Sequence, residues 1–189
     1  GPGGGRGFGG PGGGGGRGFG GGGFGGGGGG GWQASLYHTV VFTDTILIRP
    51  GLPELDLLDG AALANNGGTA RNRVQFNGGY TRDGIGARLG VDWREGTRVD
   101  GGATGGQSLD FSGIARVNAR LFVDLGQQPS LVRNNRWLRG SRVSIAVDNV
   151  FNARQRVTDA DGEVPFRFQP GFIDPLGRVV RLTFRKLFF

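Results

Sequence analysis

From Asp110 to Leu125 the chain changes character at almost every residue. The odd positions, Phe111, Gly113, Ala115, Val117, Ala119, Leu121, Val123 and Leu125, are all apolar or glycine. The even ones include Asp110, Ser112, Arg116, Asn118, Arg120 and Asp124, with Ile114 and Phe122 as exceptions. Successive side chains of a strand point to opposite faces, so this period of two lays a greasy stripe against a charged one. The run lasts about 16 residues, whereas strands of globular proteins usually have about 5 to 6. It predicts a strand long enough to cross an apolar layer.

The same alternation recurs along the chain. In 85–94 Ile85, Ala87, Leu89, Val91 and Trp93 oppose Gly86, Arg88, Gly90, Asp92 and Arg94. In 71–81 Val74, Phe76 and Tyr80 oppose Arg73, Gln75, Asn77 and Thr81, and the intervening Asp83-Gly84 is a hairpin cue. Residues 32–48 alternate less regularly, with Leu36, Val40, Phe42, Ile46 and Ile48 on one side, and predict one long strand. Further on, Val143, Ile145 and Val147 oppose Arg142, Ser144, Ala146 and Asp148, and Val180, Leu182, Phe184 and Phe188 oppose Val179, Arg181, Thr183 and Arg185. Six antiparallel strands result, joined by long links at 49–70, 99–109 and 153–177 and shorter ones at 82–84 and 127–140. One short turn of helix is expected at Glu54 to Leu58.

A soluble sandwich packs its apolar face on a second sheet, whereas a membrane barrel turns that face to lipid and its polar face to a lumen. Alternation alone does not separate the two. Long strands, and links that alternate between long and shorter, favour the barrel, with long loops at one rim and short turns at the other. No run of about 18 apolar residues exists, so a transmembrane helix is excluded, but a transmembrane strand needs only about 9 to 11 residues. The fold class expected is therefore all-β, an antiparallel transmembrane β-barrel segment. Six strands make an incomplete barrel, because the smallest have about 8.

Glycine divides the chain in two. Of 44 glycines, 24 fall in residues 1–31, which otherwise hold only Pro2, Arg6, Phe8, Pro11, Arg17, Phe19 and Phe24. Such a segment cannot bury a core and reads as a disordered Gly-rich linker or periplasmic turn. GRGFGG occurs twice, around Arg6 and Arg17, in the manner of Gly/Arg-rich nucleic-acid tails. Two Arg are few for that task, so the linker is preferred and no nucleic acid is expected as partner. The rival reading, a soluble Gly/Arg-rich nucleic-acid-binding protein, predicts aromatic and basic residues on one sheet face. Here they fall mostly on opposite faces. The chain has no Cys, which excludes disulfides and thiolate metal or redox sites, and no Met, which gives the expectation of a piece or processed product of something longer. No signal peptide can be read. The net charge of +7 permits an anionic partner without identifying one.

Asn149, Val150, Phe151 and Asn152, a polar loop, Gly177 and Arg178, and a closing strand that ends on aromatics together resemble the last two strands of TonB-dependent outer-membrane receptors. In that family the penultimate strand usually ends in N-[LV]-F-N and the last strand opens on G-R. Residues 36–51, with LDLLDG at 55–60, look like a strand and outer loop of the same family, so the resemblance covers 32–189. It implies a plugged barrel of about 22 strands, of which this would be the C-terminal part, in the cell outer membrane. It further implies uptake of a scarce small-molecule ligand such as an iron chelate, cobalamin or a saccharide, powered by the TonB complex acting through a plug outside this chain. No enzyme activity or cofactor is implied. Phe188 and Phe189 would form the signal read by the barrel-assembly machinery, the alternation placing Phe188 at the family's terminal Phe. Trp32, Tyr80 and Trp137 would be interface aromatics against outer-membrane lipid. A degenerate, non-transporting receptor fragment stays open as an alternative.

Arg88, Asp92, Arg94, Arg116, Arg120, Asp124, Arg142 and Asp148 all fall on the polar stripe and are expected to face the lumen. They would line a permeation path, hold a plug by ion pairs or neutralise one another; mutual neutralisation is preferred. His38, the single histidine, has neither a second His nor a Cys to join it in a metal or catalytic site. Asp159, Asp161, Gly162 and Glu163 imitate part of a calcium loop but lack its remaining ligands, which favours an Asp-Gly turn.

Overall fold

A computed structural model describes residues 30–62, 67–101 and 106–188. Of the Gly-rich segment only Gly30 and Gly31 fall within these, and Phe189 lies outside the described residues. The strands are β1 (Gly31–Val40), β2 (Thr45–Ile46), β3 (Leu55–Asp56), β4 (Asn72–Arg82), β5 (Ile85–Arg94), β6 (Thr97–Val99), β7 (Leu109–Phe111), β8 (Ile114–Asp124), β9 (Ser141–Asp148), β10 (Val157–Asp159) and β11 (Val179–Lys186). Two short helices, α1 (Pro129–Asn134) and α2 (Pro170–Ile173), lie in the β8–β9 and β10–β11 links. The protein is all-β in class, with antiparallel sheets.

Six strands form one sheet in the order β1-β4-β5-β8-β9-β11, every neighbour antiparallel. The sheet is open, with β1 and β11 as its edges, and is not closed into a barrel. Its register carries the stripes across all six strands: Trp32, Tyr80, Ala87, Leu121, Ile145 and Leu182 form one continuous row. The β4–β5 hairpin turns through Asp83 and Gly84 at φ of 49° and 76°, the two-residue geometry that Asp-Gly favours because both positions need positive φ.

At three places the chain departs from the expected elements. Residues 32–48 are not one strand: β1 stops at Val40, opposite the start of β4 at Asn72, and Thr45–Ile46 pairs instead with Leu55–Asp56. The helical turn expected at Glu54 to Leu58 is that second strand followed by a turn, because the Asp56 carboxylate accepts the Leu58 amide at 2.9 Å and closes an Asx turn. The long alternating strand breaks at Ser112–Gly113. There the Ser112 amide donates to Arg156 O at 2.8 Å and its hydroxyl accepts the Arg156 amide at 2.9 Å. Both contacts divert Leu109–Phe111 into a separate sheet, β10-β7-β6. Phe111 therefore leaves the exposed stripe and is buried edge-to-face against Phe168, ring centroids 5.5 Å apart.

These small sheets gather the long links at the end of the main sheet opposite the Arg82–Ile85 turn. Pairing of β7 with β6 and β10 joins the β5–β8 link to the β9–β11 link, and a bridge from Gly60 to Val99 adds the β1–β4 link. The core lies where a soluble sheet would not put it. Among the described residues the buried hydrophobics are Leu57, Phe111, Ile114, Phe122, Ala146 and Val157. Each belongs to a loop, to the small sheet β10-β7-β6, or to the polar face of the main sheet. None belongs to the apolar stripe.

Candidate functional site

The main sheet leaves much of its apolar stripe uncovered. Trp32, Leu36, Tyr80, Ile85, Leu89, Trp93, Leu121, Ile145, Val180, Leu182 and Phe184 are all exposed, Leu182 by 77%. On β5, β8 and β9 the polar stripe is the more covered one, with Gly86, Gly90, Ile114, Phe122, Ser144 and Ala146 buried. β1, β4, β5 and β8 run beside the eight steps from Ile85 to Trp93, and β9 and β11 beside the first four of them, to Leu89, which makes an apolar face of roughly 500 Å². That lies toward the upper end of the about 300–600 Å² of a typical monomer's largest apolar patch, which is often functional.

Polar groups bound this face at both ends. Level with Trp93 and on the same face by register, His38 Nε2 lies 3.0 Å from Asn72 Oδ1, and Asn72, further along, donates through Nδ2 to Glu95 Oε2 at 2.7 Å. At the other end Arg82 pairs with Asp83 at 3.3 Å, and Lys186 Nζ donates to the carbonyls of Trp137 and Arg139. Aromatics collect at this second end. Trp32 pairs directly with Tyr80, and Trp137, carried on a 3₁₀ turn (Arg136–Leu138) of the β8–β9 link, stacks on Phe184 at 5.7 Å and 11°. The three aromatics singled out from the sequence thus lie toward one end, with Lys186 over the Trp137 ring.

Register places the eight charges predicted for one side on one face. They do not simply neutralise one another. Asp92 and Arg116 stand directly opposite, yet Asp92 accepts from Gln75 at 2.9 Å while Arg116 pairs at 2.9 Å with Asp174, just beyond α2. Arg94 donates to Gln155 at 2.8 Å, and Gln155 is buried and donates in turn to Ser112 O. The β9–β11 link is thereby tied across the half of the polar face nearer the long loops. Asp148 pairs with Arg181, and Asp124 with Arg142 at 3.2 Å. Toward the Arg82–Ile85 turn, Arg88, Arg120, Arg142 and Arg185 line one cavity of about 230 Å³. Alternation already put Arg185 and Arg181 on this face, but loop residues Gln155 and Asp174 carry no period that would have placed them.

The residues that carry the family resemblance meet at a corner. Asn149 and Asn152 hold φ of 53° and 54°, a left-handed conformation that Asn tolerates better than most residues. The buried Asn149 side chain donates to Ala153 O at 2.9 Å and accepts the Ala153 amide at 2.7 Å. Asn152 Oδ1 accepts the Arg178 amide at 3.1 Å, beside Gly177 at φ 56°, where a Cβ would fall 2.4 Å from that oxygen. N-V-F-N and G-R are thus two halves of one device that ends β9 and starts β11.

His38 has no metal-binding company: among the described residues no group of three or more His, Cys, Asp or Glu side chains could hold an ion. In the 159–163 loop the Asp159 carboxylate accepts the amides of Asp161 and Glu163 at 3.1 and 2.9 Å, closing the turn over Gly162. No family model, no curated protein and no solved structure matches the chain.

Proposed function

We propose that the six-stranded sheet is part of the wall of an outer-membrane β-barrel, and that the protein is a receptor of the TonB-dependent kind. It would take up a scarce ligand such as an iron chelate, cobalamin or a saccharide. The observation that carries this reading is the inverted sheet: every buried hydrophobic among the described residues lies off the apolar stripe, and each of the six strands puts at least one fully exposed large apolar side chain on that stripe. Left in water, roughly 500 Å² of apolar face would cost up to roughly 12 kcal/mol at about 25 cal/mol per Å². Lipid removes that cost. β1, β4, β5 and β8 have 10, 11, 10 and 11 residues, the length a tilted transmembrane strand needs. At a tilt of about 40°, Ile85 to Trp93 spans about 20 Å of height, comparable with the apolar band of about 25 Å in such barrels.

On this reading Trp32, Tyr80 and Trp137 sit at the periplasmic interface, the joined long loops face outward, and the charged stripe faces the lumen. The two open edges pair with further strands, since an unpaired edge in lipid leaves a row of backbone groups unsatisfied. TonB acts through a plug outside this chain. The test is a blot of fractionated source cells with an antibody to residues 153–177, boiled and unboiled samples side by side. An outer-membrane band whose mobility changes on boiling is expected; a soluble band with unchanged mobility refutes the barrel.

A further inference from the structure

The cavity at the turn end of the polar face draws arginines from four strands, Arg88 on β5, Arg120 on β8, Arg142 on β9 and Arg185 on β11, with the hydroxyls of Ser144 and Thr183 in its wall. Register sets like charges side by side: Arg88 is directly opposite Arg120, and Arg142 directly opposite Arg185. Such pairs repel. Asp124 meets Arg142 at 3.2 Å, but Arg120 and Arg185 make no ion pair among the described residues. The other half of the face differs, because there the chain's own Asp148 and Asp174 meet Arg181 and Arg116.

Two further observations point to a ligand. The Nε atoms of Arg120 and Arg142 are buried with no hydrogen-bond partner among the described residues, and a buried donor of this kind calls for an acceptor. Phe122 also holds the site in shape, its ring 5.0 Å from the Arg142 guanidinium carbon and 5.8 Å from that of Arg88. A guanidinium offers paired N–H donors that match the oxygens of phosphate or carboxylate. At about 230 Å³ the cavity falls below the roughly 300–1,000 Å³ of sites for drug-sized ligands, which suits a compact, multiply charged anion better than a metal chelate.

We propose that this arginine cluster binds a small polyvalent oxyanion, a di- or polyphosphate or a polycarboxylate, with Ser144 and Thr183 donating to oxygens the arginines leave over. The inference rests on the barrel reading only for placing the site in a lumen. The probe is sodium pyrophosphate, titrated calorimetrically into the native protein extracted in mild detergent, with citrate as the carboxylate arm. Saturable binding is expected. Arg120→Gln and Arg185→Gln should each weaken it at least tenfold, whereas Arg98→Gln, whose side chain pairs with Asp100 outside the cavity, should leave it unchanged. Far-UV circular dichroism establishes that each variant is folded. Absence of saturable binding of both anions, equal affinity in all variants, or binding of an acidic peptide but of neither anion overturns the proposal. A protein that shifts on boiling yet binds no anion keeps the barrel and loses the site. One that binds pyrophosphate while soluble without detergent does the reverse.

Discussion

Gly86→Ala should destabilise the sheet through a single contact. Gly86 lies directly opposite Phe122, and a Cβ there would fall 2.2 Å from Phe122 Cζ and 2.5 Å from Cε1. Carbon atoms in contact rest about 3.5–4.0 Å apart, so the ring must move by more than an ångström. It has little room to do so, being 8% exposed and flanked by the guanidinium groups of Arg88 and Arg142. Overpacking of this kind costs about 1–3 kcal/mol, and weakened Arg stacking adds about 0.5–1 kcal/mol. The smaller conformational freedom of Ala in the unfolded chain returns about 0.5–1 kcal/mol. The net is about 1–3 kcal/mol. Phe122→Ala alone should cost about 3 kcal/mol, the low end for a buried Phe, because the ring borders a cavity. In the double variant the methyl added at position 86 occupies space the ring has left, so the total should stay near 3 kcal/mol, with a coupling of about 1–3 kcal/mol, the whole of the Gly86→Ala cost. Urea unfolding of the native protein and the three variants in detergent, followed by tryptophan fluorescence, measures the cycle. Additivity within about 0.5 kcal/mol would refute the claim that Gly86 is glycine to make room for the ring.

Val117→Arg should impair membrane insertion more than Asn118→Arg, by about 2–4 kcal/mol if Val117 lies near the bilayer midplane, since register puts these neighbours on opposite faces; equal yields of heat-modifiable protein would sink the face assignment. Asn149→Ala should lower stability by about 2–4 kcal/mol, combining two lost hydrogen bonds to Ala153 with a left-handed φ that Ala tolerates poorly. Asn149→Gly, which keeps the φ, should lose less in the same unfolding assay, and an Ala variant as stable as the native protein would remove Asn149 from the corner.

Period-two patterning made the main sheet legible, because a strand has no freedom over which face its next side chain takes. Asp83-Gly84 located its tightest turn for a similar reason: few residues accept two successive positive φ values. What stayed illegible depended on contacts distant in sequence. Nothing local in Leu109–Asp124 says that the strand will break at Ser112, since the break is made by Arg156, 44 positions on. Asp174 is likewise an ordinary loop carboxylate until folding sets it 2.9 Å from Arg116. The arginine cavity was half visible, its positions shared by alternation but its side chains gathered only by the fold.

The two residues that broke the alternation mark the inversion. Ile114 and Phe122 stood as apolar intrusions on a charged stripe, while Val117, Ala119 and Leu121 obeyed the pattern. In a soluble sheet the obedient residues form the core. Here Ile114 and Phe122 are 6% and 8% exposed while Leu121, on the regular stripe, is 58% exposed. The intruders are buried because the polar face is the one covered by chain, at one end by the β9–β11 link and at the other by the arginine side chains. Of the obedient ones Val117 and Ala119 are half-buried and Leu121 exposed, because among the described residues no second layer packs on their face, Trp137 over Phe184 at one corner apart. A sheet whose irregular apolar residues are buried and whose regular ones are less covered has the ordering that the outer-membrane proposal requires, and that ordering links the alternation in the sequence to the proposal.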